Sequence, residues 1–368
     1  MTVPDPAGHP RIPADRLREQ IVAVLTALDV PDDVASPTAE VMVETDLSGV
    51  DSHGIALLPS YATQLLSGEV RATARPSVIR ETGVSVTVDA AHGLGHPAAL
   101  VGMCSAVSKA RDAGVGLAAV RRSHHFGAAG PYARIAADAG MIGVVATTTR
   151  TVSVVPTRSA LPRLGTNPLA LAAPAGPDRP PFLLDMSTST VAVNKLRVHQ
   201  RNRWPLPEGW VTDGQGRALT DPDVALDQIE RRADGGVTPL GGLASMGSHK
   251  GYGLALAVQV LAGVLAGATF APLRRAEDHD DIGHFFMAVD PTLLRDDGGF
   301  EADLGAIIDT LHDTPPITPD IPVLVPGDPE AASHTDRSVN GIPVPEVLLE
   351  RLRHVCRACG AEFLLGRR

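Results

Sequence analysis

The hydrophobic periodicity of the chain changes near residue 83, and that change limits the folds open to it. Before it, ADRLREQIVAVLTALD (14–29) sets apolar residues at helical spacing and closes at VPDD. A second helix is predicted over 33–48, ending near Gly49, and a third over LLPSYATQLLSG, stopped by Gly68. After it, VSVTVDAA alternates as a strand does, PAALVGMCSAVSKARDAG reads as a helix, and VGLAAVRR as a second strand. Helix ARIAADAG, strand MIGVVATTT and the runs LALAAPA and PFLLDMS continue the alternation. The fold class is therefore α/β, with a helical part contributed by both termini.

Further along, residues 196–245 are rich in Pro, Gly and Asp and are predicted to be loop-dominated. A long helix over 250–267 and a strand over 284–290 follow. Beyond TPPITPD the chain is expected to run extended until a final helix, VLLERLRHVCRACGAEFLL. These spans suggest a helical N-terminal part (1–75), a central α/β body (76–320) with a small insert around 196–270, and a C-terminal segment (321–368) returning to the helical part.

Composition excludes several classes of function. The 368 residues are 44% hydrophobic and 20% charged, which suits a packed globular chain. With a net charge of −10 and no basic block, nucleic acid is not an expected partner. The run GLALAVQVLAGVLAGA (253–268) is marginal for a membrane span and flanked by polar chain, so a buried helix is predicted and no membrane partner. The opening MTVPDPAGHPRIPAD lacks an apolar signal core, and three cysteines fit a reducing compartment, so a cytoplasmic location is expected. Cys356 and Cys359 form a C-x-x-C one helical turn apart, with only Cys104 and His354 left to complete a metal set, and they read as structural.

Six stretches carry candidate chemistry. In VDSHGIALLPSY (50–61), Asp51, Ser52 and His53 lie on a connection between helices, where a side chain is accessible. A serine hydrolase is disfavoured, because adjacent residues seldom serve as nucleophile and base and no G-x-S-x-G occurs. His53, and His125 in SHHFGAAGPY, are flanked by small residues that admit a ligand, and an imidazole suits general acid chemistry near neutrality. Gly93 to Ala98 reads G-x-G-x-x-A between a strand and a helix. It is either a dinucleotide loop, with Arg121 and Arg122 nearby, or a turn that needs glycine. EDHDD (277–281) gathers four carboxylates and His279, and reads as a solvated loop, with no metal expected. LGTNP (164–168) and GSHKGYG (247–253) repeat the glycine context, and Lys250 sits where a helix begins.

Together these residues resemble the type-2 malate/L-lactate dehydrogenase family, which also contains sulfolactate, ureidoglycolate, diketogulonate and piperideine-2-carboxylate enzymes. The resemblance runs through DLSGVDSHG, HFGAAGPY, GMIGVVATT, LGTNPLALAAP, LLDMSTS, PEGW, PLGG, HKGYGLALAV, IGHFFMAVDP and VPGDPE. It implies an NAD(P)-dependent oxidoreductase acting on a small 2-hydroxy or 2-oxo acid, or on a cyclic imine, and a homodimer. The implied cofactor domain is not a Rossmann fold: its sheet is mixed and largely antiparallel, and Gly93 to Ala98 becomes a turn. By the same resemblance, His53 is the proton donor with Ser52 beside it, His125 a second acid/base candidate, and Asp185 part of the catalytic set. NAD or NADP would be held by Thr149, Thr166, Asn167, Asp185, Met186, Ser187, Thr188, Ser189, His249, Lys250, Pro326, Gly327 and Asp328. Relatives commonly place arginine where this chain has Leu57, asparagine at His124, a Thr-Asn pair at Thr147-Thr148 and glycines at Arg158-Ser159. The substrate acid would then fall to Arg150, Arg158 or Arg163, or the substrate would not be a simple carboxylate. A chain that keeps the fold and only binds a ligand is the remaining alternative.

Overall fold

The computed structural model describes residues 8–275 and 278–366. A short strand β1 (Arg11–Ile12) leads into helices α1 (Ala14–Ala27), α2 (Asp32–Leu47) and α3 (Leu58–Leu66). Strands β2 (Ser77–Glu81) and β3 (Ser85–Asp89), helix α4 (Gly95–Ala113), strand β4 (Val115–Ser123), helix α5 (Gly130–Asp138) and strands β5 (Ile142–Thr147), β6 (Leu169–Ala173) and β7 (Phe182–Met186) follow. Next come α6 (Val193–Asn202), β8 (Val211–Thr212), α7 (Pro222–Arg231), β9 (Gly236–Val237), α8 (His249–Val258) and β10 (Ile282–Val289). The chain closes with α9 (Phe300–His312), α10 (Asp328–Asn340), β11 (Ile342–Pro343) and α11 (Glu346–Cys359).

Seven strands form one sheet in the order β2-β3-β4-β10-β5-β6-β7. Only β3 and β4 are parallel, joined through α4, and every other pairing is antiparallel. Strand β10 arrives last yet occupies the centre, so the sheet is mixed and is not a doubly wound one. The G-x-G-x-x-A stretch is the turn into α4. A side chain on Gly95 would overlap the carbonyl oxygens of His124 and His125, so glycine lets this helix start against the His125 loop.

The helical part is built from both ends of the chain. Leu17, Ile21 and Leu25 of α1, Met42 of α2, Leu58 and Tyr61 of α3, and Leu349, Leu352 and Cys356 of α11 share one core. Burying such side chains stabilises by about 1.5–3 kcal/mol each, and β1 pairs with β11 to close the layer. A separate small core of Val154, Leu164, Leu196, Val211, Leu226 and Val237 joins the segment between β5 and β6 to residues after β7.

Four sequence expectations are corrected. The region 196–245 contains most of α6 and all of α7, the latter capped by Asp221, whose side chain accepts from the Asp223 and Val224 amides. The helix expected over 250–267 is α8 followed by a π-helical segment, Gln259–Leu265. The stretch after TPPITPD is not extended throughout: it contains α10, whose sequence DPEAASHTDRSVN buries no residue fully and so carries no apolar period to read. The last helix stops at Cys359, because Gly360 adopts the left-handed conformation that ends it.

Candidate active site

The loop carrying His53 leaves α2 through Gly49, whose φ of +81° suits glycine. Behind the loop, the buried Asp46 accepts the Ile55 amide through Oδ2 at 2.8 Å. A side chain on Gly54 would overlap the Asp46 carboxyl, so the glycine after His53 is needed for close approach. Burial raises the Asp46 carboxyl to about 8, opposed by the Ile55 amide and by Arg337. His53 is half-buried, and its Nδ1 lies 2.7 Å from the Ser52 hydroxyl.

His125 faces His53, with ring centroids 5.7 Å apart and planes 28° from parallel. The Gly127 amide donates to His125 Nδ1 at 3.3 Å, and the Tyr61 hydroxyl lies 2.7 Å from the same nitrogen. A nitrogen that accepts an N–H carries the lone pair, which assigns the proton of the neutral ring to Nε2. Burial, then the neighbouring His53, His96, His124 and His284, hold the His125 pKa well below its ordinary value. The His53 shift is downward as well, with burial as its cause. Two histidines with different ties thus face each other.

Beside it, strand β7 joins two further groups of sequence-predicted residues. Asp185 Oδ2 accepts the Gly130 amide at 2.7 Å, which ties β7 to the segment just beyond His125. The Asp185 residue is exposed in the single chain, while protein packed around its carboxyl raises the pKa to about 6, opposed by the Gly130 and Ala129 amides. The Leu183 amide donates to Pro326 O at 3.1 Å. Gly327, at φ +107°, comes so close to Pro181 and Leu183 that a Cβ would lie 3.0 Å from the Pro181 oxygen. Pro326, Gly327 and Asp328 therefore flank the strand that carries Asp185 and Met186.

Thr166, Asn167 and Thr188 meet directly. The Thr188 hydroxyl donates to the Thr166 and Asn167 carbonyls at 3.1 and 3.0 Å, and Asn167 Nδ2 donates to Ala255 O in α8 at 2.9 Å. The Ser189 hydroxyl donates to Ser187 Oγ at 3.1 Å. Thr149 packs against Gly165, where any Cβ would overlap its hydroxyl. His249 and Lys250 are exposed on the first turn of α8, and Lys250 has no ion pair among the described residues. Leu57 is half-buried against the helical core and offers no cation. Arg163 is exposed and donates to Pro162 O, whereas Arg158 is exposed at φ +71° with no ion pair among the described residues.

Sequence reasoning missed several residues of this region. Tyr61 carries no local mark in the sequence as the partner of a histidine 64 positions away. His284 is fully buried, with its ring nitrogens 2.7 Å from the Thr147 hydroxyl and 2.9 Å from the Ser123 hydroxyl, and it stacks on Phe126 at 4.5 Å. His96 is fully buried with no hydrogen-bond partner among the described residues. Asp280, from the EDHDD stretch, is buried and not solvated as expected. It pairs with Arg274 and with Arg150 at 3.0 Å, and lies 3.2 Å from His124 Nε2 without hydrogen-bond alignment. Glu277 of that stretch lies outside the described residues. Glu69, His124 and Asp280 bring ligand-type atoms within 4.8 Å of one another. Arg150 binds both carboxylates and Arg274 a second time one of them, so their negative charge is already balanced without a cation.

The sequence profile described as malate/L-lactate dehydrogenase matches residues 12–353. The chain belongs to that family. It is 37% identical over 358 residues to the malate dehydrogenase of Pyrococcus horikoshii, covering 96% of this chain and 97% of that one. It is 36% identical over 341 residues to the L-sulfolactate dehydrogenase of Methanothermobacter thermautotrophicus, covering 92% and 94%. Among solved structures it is similar to the delta1-piperideine-2-carboxylate reductase of Pseudomonas syringae pvar. tomato, with a TM-score of 0.82, 28% identity, and 94% and 99% of the two chains covered. Membership of this family makes the chain an oxidoreductase. No helix among the described residues is long and apolar enough to cross a membrane.

Proposed function

We propose that the chain moves hydride between a nicotinamide cofactor, NAD or NADP, and the α-carbon of a small 2-hydroxy or 2-oxo acid in the cytoplasm, with His53 carrying the proton. The observation that carries this reading is the His53–His125 pair, 5.7 Å apart, in which His125 is held at Nδ1 by two partners and His53 by one. His125, held at Nδ1 by Tyr61 and Gly127 and kept neutral by burial, offers Nε2–H as a fixed hydrogen-bond donor to the substrate oxygen. His53 is tied at Nδ1 by Ser52, which leaves Nε2 as its proton-transfer nitrogen. In the oxidative direction His53 takes the hydroxyl proton as the α-carbon loses hydride, and in the reductive direction it returns a proton to the carbonyl oxygen.

When bound, the nicotinamide supplies the hydride acceptor or donor. The donor set fits such a group. Lys250, exposed at the start of α8 and free of ion pairs among the described residues, suits a pyrophosphate. Thr149, Thr166, Asn167 and Met186 to Ser189 line the way from α8 to Asp185, and Gly327 lets the Pro326–Asp328 turn lie against β7. Asp185, by holding the Gly130 amide, orients the chain after His125.

Substrate choice follows from the arginines. Leu57 supplies no charge and Arg150 is held by Glu69 and Asp280, which leaves Arg158 and Arg163 as the candidates without an ion pair among the described residues, Arg163 donating only to the Pro162 oxygen. Reduction of a cyclic imine acid is the second reading, favoured by the likeness to the piperideine-2-carboxylate reductase and by the same proton donor serving nitrogen. Exposed Val260, Val264 and Leu265 on the π-helical segment support a homodimer. Steady-state assays with NADH and NADPH against oxaloacetate, pyruvate, 3-sulfopyruvate and delta1-piperideine-2-carboxylate test the function. Turnover of a 2-oxo acid supports the first reading, turnover of the imine alone supports the second, and binding of neither cofactor ends both.

A further inference from the structure

The loop bearing His53 is gripped from a direction that its own sequence does not reveal. Helix α10 begins at the Pro326–Asp328 turn, fastened to β7 through Leu183 and Pro326. Three turns later, Arg337 reaches the loop. Its Nη1 donates to the backbone oxygen of Asp46 at 2.6 Å and pairs with the Asp51 carboxyl, whose second oxygen lies 3.3 Å from Nη2. Between these points, Ser333 packs against Gly49, and His334 Nε2 lies 3.4 Å from Glu44. The Arg337 side chain is only 11% exposed although the helix buries no residue fully, so this guanidinium is inserted and not solvated.

The arrangement has a geometric consequence. Strand β7 holds the segment after His125 through Asp185 and Gly130, and holds the start of α10 through Leu183 and Pro326. Arg337 returns from the other end of α10 to Asp46, just before the turn that carries His53, and to Asp51 within it. His53 and His125 are thereby referred to the same strand by two arms, and the arm to His53 is completed by one planar, two-pronged cation.

We propose that Arg337 is a positioning residue for His53: it holds the Ser48–Gly54 turn against α10 and so sets the spacing of the two imidazoles. This rests on the reading of His53 as the proton carrier. Asp46 Oδ2 alone does not replace the grip, because it fastens only the Ile55 side of the turn.

The test compares wild type with Arg337→Met, Arg337→Lys, Asp51→Asn and His53→Ala. Amide hydrogen exchange over residues 49–55 reports the hold on the loop directly. Arg337→Met should speed exchange there by about tenfold or more while the peptides of the central sheet stay unchanged, and Arg337→Lys should recover part of the protection. Turnover with oxaloacetate should fall by about tenfold or more with KM within about twofold, and NADH affinity, read by its fluorescence, should stay within about twofold. Unchanged exchange over 49–55 in Arg337→Met overturns the proposal. If that variant fails to fold, Asp51→Asn, which keeps the bond to Asp46 O, must raise exchange in the same segment, and its failure to do so overturns the proposal equally. A His53→Ala enzyme with full turnover refutes the proton role of His53 instead, and the exchange result still judges the grip.

Discussion

At the scale of single residues, the two histidines differ in their partners. His53→Ala should lower turnover by about 10²–10⁴ if it transfers the proton, and in the reductive assay with NADH, where His53 must start protonated, the basic limb of the pH–rate profile should vanish with it. His125→Ala should lower turnover while keeping that limb, because a neutral donor does not titrate in the working range. The reverse pattern, with the limb lost at His125, would exchange the roles. Asp46 gives a second test, in stability. Its carboxyl is raised from 3.8 to about 8 by burial, so the folded chain prefers it protonated. That contribution is complete below about pH 4, the unfolded value, and is lost as pH rises through about 8. Asp46→Asn keeps an acceptor for the Ile55 amide and does not ionise. Its urea midpoint should therefore gain on wild type between pH 5 and pH 8, and a constant difference would show that Asp46 is ionised throughout.

At the scale of elements, glycines decide where helices and loops can touch. Gly95 opens α4 directly on the His124 and His125 carbonyls, so a methyl group there must push the helix or the His125 loop away. Gly95→Ala is expected to cost roughly 1–3 kcal/mol by overpacking and to reduce turnover. Gly83→Ala, with open space around the new methyl, should leave both unchanged. Equal midpoints for the two variants in thermal unfolding would refute the contact. The motif containing Gly95 was legible as a strand-to-helix turn. Its two sequence explanations, phosphate cradle and close packing, differ only in what approaches the glycine, and a linear pattern does not carry that information. Helix α10 is the opposite case. Its residues lack an apolar stripe because one side rests on backbone and polar groups of α2 and the His53 loop, so hydrophobic periodicity had nothing to detect.

At the scale of the whole molecule, the buried imidazoles set the response to acid. Burial pushes His96 and His284 down to about 3 and His124 to about 4, and holds His125 well below its ordinary value. A basic group with a depressed folded pKa contributes stability that is present above the unfolded value near 6.5 and is lost as pH falls toward the folded one. Four such groups outweigh the opposite trend of Asp46 in that range. Thermal unfolding should therefore move to lower temperature between pH 6.5 and pH 4.5, and His284→Gln should weaken the trend by about one histidine's share. A midpoint that rises on acidification would contradict the burial of these rings. The proposed homodimer belongs to the same scale: light scattering at micromolar concentration should give twice the chain mass, and a stable monomer would leave Val260, Val264 and Leu265 without the partner proposed for them.

The amino-acid sequence by itself determined the α/β class, the helical part from both termini and the family, because periodicity and short ordered motifs are local and survive without coordinates. It also singled out His53, His125, Asp185 and Lys250 as candidates. Only the tertiary structure decided that Tyr61 and Gly127 lock His125, that Asp280 is buried between arginines, and that Arg337 grips the loop of His53. Each of these depends on contacts between residues up to 291 positions apart. Side-chain chemistry can be read along a chain, but the partner that tunes it is chosen by packing in three dimensions. For the same reason Leu57 was visible as a missing charge, while the pairing that leaves Arg158 and not Arg150 free emerged only when the folded chain brought Glu69 and Asp280 to Arg150.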